Sequence, residues 1–240
     1  MKRHSRIVWI SGASSGIGKS LLESFANGGD VVIGTSRRLD TLTTLVRKLN
    51  RYGKHCEAMR CDVTKETDVQ RVARSILQRH KKVDILVNNA GITTLKDFLR
   101  TSTSEFDDIL ATNVRGLFLT SKALLPAMLK RKRGTILNVL SYAAKTTYTK
   151  SAAYTAAKSG AEAMMNVLRA EVREKGIKVV NVYPGAVLTP MWSAGMRKRH
   201  ARSMMSARDI AALLYRLTLE PDSLHVEELV VRPPAGDLHV

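Results

Sequence analysis

The chain has 240 residues, 44% of them hydrophobic and 25% charged, and a formal net charge of +18. That length suits one domain, or at most two small ones, and the composition is ordinary for a globular protein. No apolar run approaches the ~20 residues of a membrane helix, and "MKRHSRIVWISG" has no signal region with a cleavage site, so a cytoplasmic location is expected.

The first apolar run, 6–11 (RIVWIS), contains Trp9, read as core, and leads into "SGASSGIG" and a helical pattern over 16–27. Gly12, Gly16 and Gly18 are spaced G-x-x-x-G-x-G, which is not the usual dinucleotide fingerprint. Two readings fit the loop. It is a plain strand-to-helix turn, or it is a phosphate loop. In the second reading Gly12 makes the turn, and Gly16 and Gly18 admit a pyrophosphate to the helix N-terminus. Ser14 and Ser15 then donate to its oxygens.

The second strand, 30–36, ends in Thr35-Ser36-Arg37-Arg38. An acidic residue about 20 positions past a glycine loop would bind ribose hydroxyls. Here two hydroxyls and two guanidinium groups stand instead. They suit the 2′-phosphate of NADP, against the plainer reading of an exposed basic loop.

Next come a helical pattern at 39–52, a strand at 55–61, a helix at 66–81 and a strand at 83–89. Cys56 and Cys61 match no zinc spacing and read as buried structural thiols. A long helical pattern covers 105–131, and Pro126 should kink or break it. A strand at 134–140, a helix at 152–175 and a strand at 177–183 follow. The stretch 189–207 is weakly periodic, with Gly195 and many arginines, and is a candidate substrate lid. A helix at 208–219 and a strand at 227–232 complete the chain.

Near-continuous apolar strands spaced by helices predict a doubly wound α/β fold, a seven-stranded parallel sheet with helices on both faces. No linker or repeat interrupts it, so residues 1–240 form one domain. Ligands in such sheets bind beyond the carboxyl ends of the strands. The segments there are 11–18, 35–38, 61–64, 88–91, 140–143 and 184–190. All are polar or glycine-rich, and all belong on one rim.

Basic residues cluster at 79–82, 130–134 and 197–202. Such charge invites nucleic acid, a membrane surface or an acidic partner. Aromatics are only 5% and no RNA-recognition motif is present, so solvated helix ends explain the clusters and no specific nucleic acid is expected. His4, His55, His80, His200, His225 and His239 are scattered, and no metal site is assigned.

Tyr154 and Lys158 lie four residues apart on an alanine-rich helical pattern and share one face. A nearby ammonium should lower the tyrosine pKa and make it a usable acid/base. Ser141 closes the preceding strand.

With "SGASSGIG", "CDV", "NNAG", "NVRG", Ser141, "YTAAK" and "PGAVLTPM" in order, the chain resembles the short-chain dehydrogenase/reductase superfamily over essentially its whole length. Ser11 stands where that family usually has Thr, and keeps the hydroxyl. The resemblance implies a Rossmann fold and an NADP(H)-dependent oxidoreductase acting on a carbonyl or alcohol. It implies Tyr154 as acid/base, Lys158 as the group that tunes it and holds the nicotinamide ribose, Ser141 as partner of the reacting oxygen, and Asn113 as support for a relay water. Cofactor contacts are implied for Gly12, Ser14, Ser15, Gly16, Ile17, Gly18, Ser36, Arg37 and Arg38, and for Asp62 and Val63 beside the adenine. Asn89, Ala90 and Gly91 line the adenosine half, and Pro184, Gly185, Val187 and Thr189 cradle the nicotinamide end. Trp192, in the lid, is a candidate substrate contact.

Family members are usually dimers or tetramers that pack through the helices predicted at 105–131 and 152–175. The tail "EELVVRPPAGDL" lacks the "DGG" of acyl-carrier reductases and resembles a subgroup that includes bacterial sepiapterin reductases. General small-carbonyl reduction therefore stands ahead of acyl-carrier and pterin reduction, with a non-catalytic NADP-binding role as a further alternative.

Overall fold

Each of the seven apolar runs forms a strand in the computed structural model, which describes residues 5–238. The first half of the chain alternates β1 (Ile7–Ser11), α1 (Gly16–Asn27), β2 (Val31–Ser36), α2 (Leu39–Arg51), β3 (His55–Arg60), α3 (Glu66–His80) and β4 (Ile85–Asn88). Then come α4 (Thr103–Leu110), α5 (Gly116–Arg131), β5 (Gly134–Val139), α6 (Ala152–Val172) and β6 (Ile177–Pro184). The last part holds β7 (Val187–Leu188), α7 (Ala194–His200), β8 (Met205–Ser206), α8 (Ala207–Leu217) and β9 (Glu228–Val231).

The main sheet is wholly parallel, in the order β3-β2-β1-β4-β5-β6-β9. Alternate residues of each strand feed opposite faces, because strand side chains repeat every two positions. Ile7 and Trp9 pack with α3, α5 and α6 on one face. Val8 and Ile10 pack with α1, α2 and α8 on the other. This is the single doubly wound domain expected from the sequence. Both its faces are covered, so the central strands β1, β4, β5 and β6 are buried along nearly their whole length, whereas the edge strands β3 and β9 carry exposed positions.

A buried polar row fixes the register of the central strands. Asn88, Asn138 and Asn181 are directly paired across β4, β5 and β6. Asn88 Nδ2 donates to Asn138 Oδ1 at 2.9 Å, and Asn138 Nδ2 donates to Asn181 Oδ1 at 2.9 Å. A slip of one residue would leave these amides unpaired in the core, at a cost of ~1–3 kcal/mol for each unsatisfied group.

The helical stretch 105–131 departs from expectation. Pro126 does not break it, and α5 runs on to Arg131. Pro126 and Lys122 are both solvent-exposed, so the Lys122 carbonyl freed by the missing N–H meets water. The irregularity lies earlier, where Ala111–Arg115 form a π-helical turn between α4 and α5.

The lid segment is more ordered than its weak periodicity suggested. It holds α7, and β7 and β8 pair in parallel at its base. The Met205 N–H also donates to the Ala186 carbonyl at 2.9 Å. The two ends of the lid are thereby tied together.

Candidate active site

The strand order reverses between β1 and β4, and a cleft of about 630 Å³ opens there beyond the carboxyl ends of the strands. Gly12, Ser15, Gly16 and Ile17 line it from the first loop, and Asn89, Ala90 and Gly91 from the fourth strand. Ser141, Tyr154 and Lys158 form a third wall, and Pro184, Gly185, Val187, Thr189 and Trp192 close the far side.

The glycines have separate physical reasons. Gly12 and Gly16 have positive φ, +68° and +55°, which L side chains rarely adopt. A Cβ on Gly18 would lie 2.3 Å from Asn89 Nδ2 and 2.3 Å from the Gly12 carbonyl, so Gly18 packs helix against sheet and faces away from the cleft. A Cβ on Gly16 would meet Thr189 at 3.2 Å and Pro190 at 3.9 Å across the opening. Ser15 is the N-cap of α1, yet its side chain caps nothing and no acidic residue stands in the first turn. The positive end of the helix thus faces the cleft with N–H groups to offer. An anion such as a pyrophosphate fits this cradle.

Ser11 stitches the first loop to the fourth. Its hydroxyl donates to the Val87 carbonyl at 3.3 Å and accepts from the Asn89 and Ala90 N–H groups at 3.1 Å each. Asn89 Nδ2 returns bonds to the Ser11 and Gly12 carbonyls at 3.0 and 3.1 Å.

The residues expected at an adenosine end lie on the same rim but outside the main cleft. Arg37 and Arg38 are exposed, and neither forms an ion pair with another described residue. Ser36 donates to Ser14 Oγ at 3.0 Å and accepts from the Arg38 N–H at 3.1 Å, so it shapes the loop that carries the arginines. Thr35 does not join them. Its hydroxyl accepts from Trp9 Nε1 at 3.0 Å inside the core. Asp62 accepts from the Thr64 N–H and hydroxyl. The Val63 side chain turns inward against Gly116.

At the reactive wall, α6 presents Tyr154 and Lys158 on one face. The Lys158 ammonium is buried, donates to the Val139 carbonyl at 3.0 Å and lies 5.6 Å from the Tyr154 ring centre. Burial pushes Lys158 down to about 8, and pushes the Tyr154 phenol up, against a smaller lowering by its hydrogen bond to Ser141. The expectation that the ammonium lowers the tyrosine pKa is therefore corrected. Desolvation disfavours the charged form of each group and sets the direction of both shifts. Ser141 also accepts from the Ala143 N–H, which begins a short turn and fixes its hydroxyl toward Tyr154.

Asn113 sits in the π-helical turn. Its Nδ2 donates to the Ile92 and Ile109 carbonyls at 2.8 and 3.0 Å. Its Oδ1 is buried with no hydrogen-bond partner. A Cβ placed on Gly91 would lie 2.7 Å from that oxygen and 3.7 Å from Lys158 Nζ, so glycine keeps open the space between them.

Tyr148 and Asp237 also line the cleft and were not foreseen from the sequence; Tyr142 and Met196 line it too, within the predicted rim segment and lid but not singled out there. Arg232 pairs with Asp237 at 2.9 Å and lies 4.3 Å over the Tyr142 ring, which brings the C-terminal tail to the opening. The "GDL" near the end of the sequence was the available signal. Cys56 and Cys61 are free, buried thiols whose pKa values burial raises to about 11 and about 12, so both are inert at neutral pH. Among the described residues no group of three His, Cys, Asp or Glu side chains could hold a metal. His4 and His239 lie outside the described residues.

Comparison with known proteins agrees with this geometry. Residues 6–200 match the family model for short chain dehydrogenase. The chain is 30% identical over 239 residues to sepiapterin reductase of Chlorobaculum tepidum, covering 97% of this chain and 98% of that one. It is 35% identical over 194 residues to the 3-oxoacyl-[acyl-carrier-protein] reductase of Vibrio cholerae, covering 81% and 78%. A metagenomic short-chain oxidoreductase solved in complex with NADP superposes with a TM-score of 0.84 at 29% identity, covering 95% of this chain and 96% of that one.

Proposed function

The chain belongs to the short-chain dehydrogenase family of oxidoreductases, and on that footing we propose that it reduces a small carbonyl compound to an alcohol with NADPH, reversibly. The observation that carries this reading is the meeting of Ser141, Tyr154 and Lys158 on one wall of a cleft whose other end is an uncapped helix N-terminus. When bound, the nicotinamide supplies the hydride.

The protein's own residues supply position and the proton. Ser141 and Tyr154 hold the substrate oxygen between their hydroxyls. Burial keeps the Tyr154 phenol protonated at neutral pH, so it has a proton to give as negative charge develops on that oxygen. The Lys158 cation then stabilises the phenolate left behind. Asn113 Oδ1, unpartnered beside Lys158, would accept from a water that returns the proton.

The first loop, with Gly12, Ser15, Gly16 and Ile17, takes the pyrophosphate. Arg37 and Arg38, on a loop shaped by Ser14 and Ser36, take the 2′-phosphate. Asp62 and Val63 border the adenine, Asn89, Ala90 and Gly91 the adenosine half, and Pro184, Gly185, Val187 and Thr189 the nicotinamide. Trp192 contacts substrate from the lid. The enzyme works in the cytoplasm as a homodimer or homotetramer. Exposed Phe106, Phe118 and Val167 on α4, α5 and α6 support that assembly.

The test is oxidation of NADPH across a carbonyl panel that includes pterin and acyl-thioester ketones. Tyr154→Phe should abolish turnover and leave NADPH binding intact. Turnover that survives in Tyr154→Phe overturns the proton-donor role.

A further inference from the structure

The basic clusters do not all share one place in the fold. Those at 79–82 and 130–134 span the C-terminal ends of α3 and α5 and the turns into β4 and β5, at the amino-terminal ends of the strands. The third, Arg197, Lys198, Arg199 and Arg202, is carried by the lid at the opposite rim, beside the cleft. The lid is also amphipathic. Met196 of α7 and the preceding Trp192 line the cleft, while Lys198, Arg199 and Arg202 are exposed.

A second part of the rim exposes large apolar side chains among charged ones. Leu95 lines the cleft and is 47% exposed. Three and four residues on, Phe98 is 79% exposed and Leu99 96% exposed, at a short turn. Lys96, which pairs with Glu105, and exposed Asp97 precede them, and exposed Arg100 follows. Met191 repeats the pattern on the lid side at 47%. Single exposed apolar residues are ordinary, but adjacent ones standing out beside a functional opening mark an interaction surface.

We propose that this rim is a docking face for an anionic lipid bilayer. Phe98 and Leu99 insert into the interfacial layer, and the lid cations neutralise the lipid headgroups. An apolar element with a Lys/Arg-rich companion is what lies on such an interface. No helix of the described residues is long and apolar enough to cross a membrane, so the attachment is peripheral. An acidic protein could match the lid charge. However, Phe98 and Leu99 project as a knob, and a soft apolar layer accepts a knob without a preformed pocket. Nucleic acid has hydrogen-bonding groups that Leu99 cannot meet.

The test is cosedimentation of the full chain with vesicles of phosphatidylcholine alone and of phosphatidylcholine with phosphatidylglycerol. Size-exclusion mass measurement runs in parallel. Wild type should bind the anionic vesicles, and the neutral ones weakly. Phe98→Ser with Leu99→Ser, and separately Lys198→Ser with Arg199→Ser and Arg202→Ser, should each weaken binding at least about tenfold. A variant with equal charge loss at the opposite rim, Lys81→Asn with Lys130→Ser and Lys132→Asn, should bind within about twofold of wild type; left-handed Lys81 and Lys132 tolerate Asn.

Three results would overturn the proposal. In one, wild type fails to bind the anionic vesicles. In another, all three variants weaken equally, which is net charge alone. In the third, the Phe98/Leu99 variant changes the mass of the particle, which means that a second copy covers this part of the rim.

Discussion

Lys158 holds its ammonium 5.6 Å from the centre of the Tyr154 ring while donating 3.0 Å to the Val139 carbonyl, and it does so out of water. A lysine so placed is costly to fold around. Its pKa falls from 10.5 to about 8. Below pH 8 it is charged in both folded and unfolded chains, and the folded state carries the full desolvation penalty. Between pH 8 and 10.5 the unfolded chain binds more protons, so stability rises with pH across that window. The difference corresponds to about 3 kcal/mol, offset by about 1 kcal/mol for the bond to Val139. Lys158→Met should therefore raise the Tm at pH 7 by about 5 °C, and the gain should vanish by pH 10.5. Thermal unfolding at both pH values checks this, and a lower Tm at pH 7 would contradict it.

The same pair sets the pH dependence of turnover. Raised by burial, the Tyr154 phenol stays protonated through neutral pH, so it does not limit reduction there. Lys158 loses its charge above about pH 8, and with it the stabilisation of the phenolate. The rate of carbonyl reduction should be level to about pH 8 and then fall, by up to about tenfold per pH unit. Lys158→Met should be slow and flat over that range. A wild-type rate that is flat to pH 10 would remove Lys158 from this role.

Arg37 and Arg38 have no ion-pair partner among the described residues and stand on a loop held by Ser36 and Ser14. Replacing both with Ala should weaken NADPH by about 2 kcal/mol or more, since charge-assisted bonds contribute ~1.5–3 kcal/mol each. NADH should change little. Titration with each nucleotide separates the outcomes. Equal losses would mean that the pair does not read the 2′-phosphate.

These sites differ in how openly the sequence carries them. The central strands were readable because they are largely apolar on both faces, and the rim because strand ends in a parallel sheet all point one way. Tyr154 and Lys158 were readable because four residues is one helical turn. The pKa direction was not, since desolvation depends on what α6 packs against, here Val139 and Ser141 from β5 and the turn after it. The π-helical turn at Asn113 has no local signature, whereas Pro126 has a loud one and proves harmless on an exposed face. The in-register row of Asn88, Asn138 and Asn181 arises from pairing of distant strands, which no local period encodes. Asp237 reaches the cleft because Arg232 and Tyr148, distant in sequence from each other, both hold it there.

Ser11 gives a sharper test of the first loop. Its hydroxyl makes three of the bonds that join the loop after β1 to the loop after β4. Ser11→Ala leaves the Asn89 and Ala90 N–H groups without this partner at a partly buried position, which should cost about 1–2 kcal/mol. Ser11→Thr keeps the hydroxyl and should be near wild type. Denaturant unfolding distinguishes them. If Ser11→Ala matches wild type, the two loops are held by Asn89 alone.

Gly16 and Gly18 separate cofactor binding from folding. Gly18→Ala would place a methyl 2.3 Å from both Asn89 Nδ2 and the Gly12 carbonyl. Backbone cannot yield that far, so this variant should unfold or lose at least about 3 kcal/mol. Gly16→Ala meets side-chain atoms alone, Thr189 at 3.2 Å and Pro190 at 3.9 Å, and its added strain is that of a positive φ, about 1–2 kcal/mol. It should fold. Its methyl nevertheless occupies the approach to the uncapped end of α1, where close contact between phosphate and backbone is needed. NADPH affinity should drop at least about tenfold while the Tm falls by only about 5 °C. Thermal unfolding with and without NADPH measures both. A folded Gly16→Ala protein with unchanged NADPH affinity would show that the pyrophosphate does not sit on this loop.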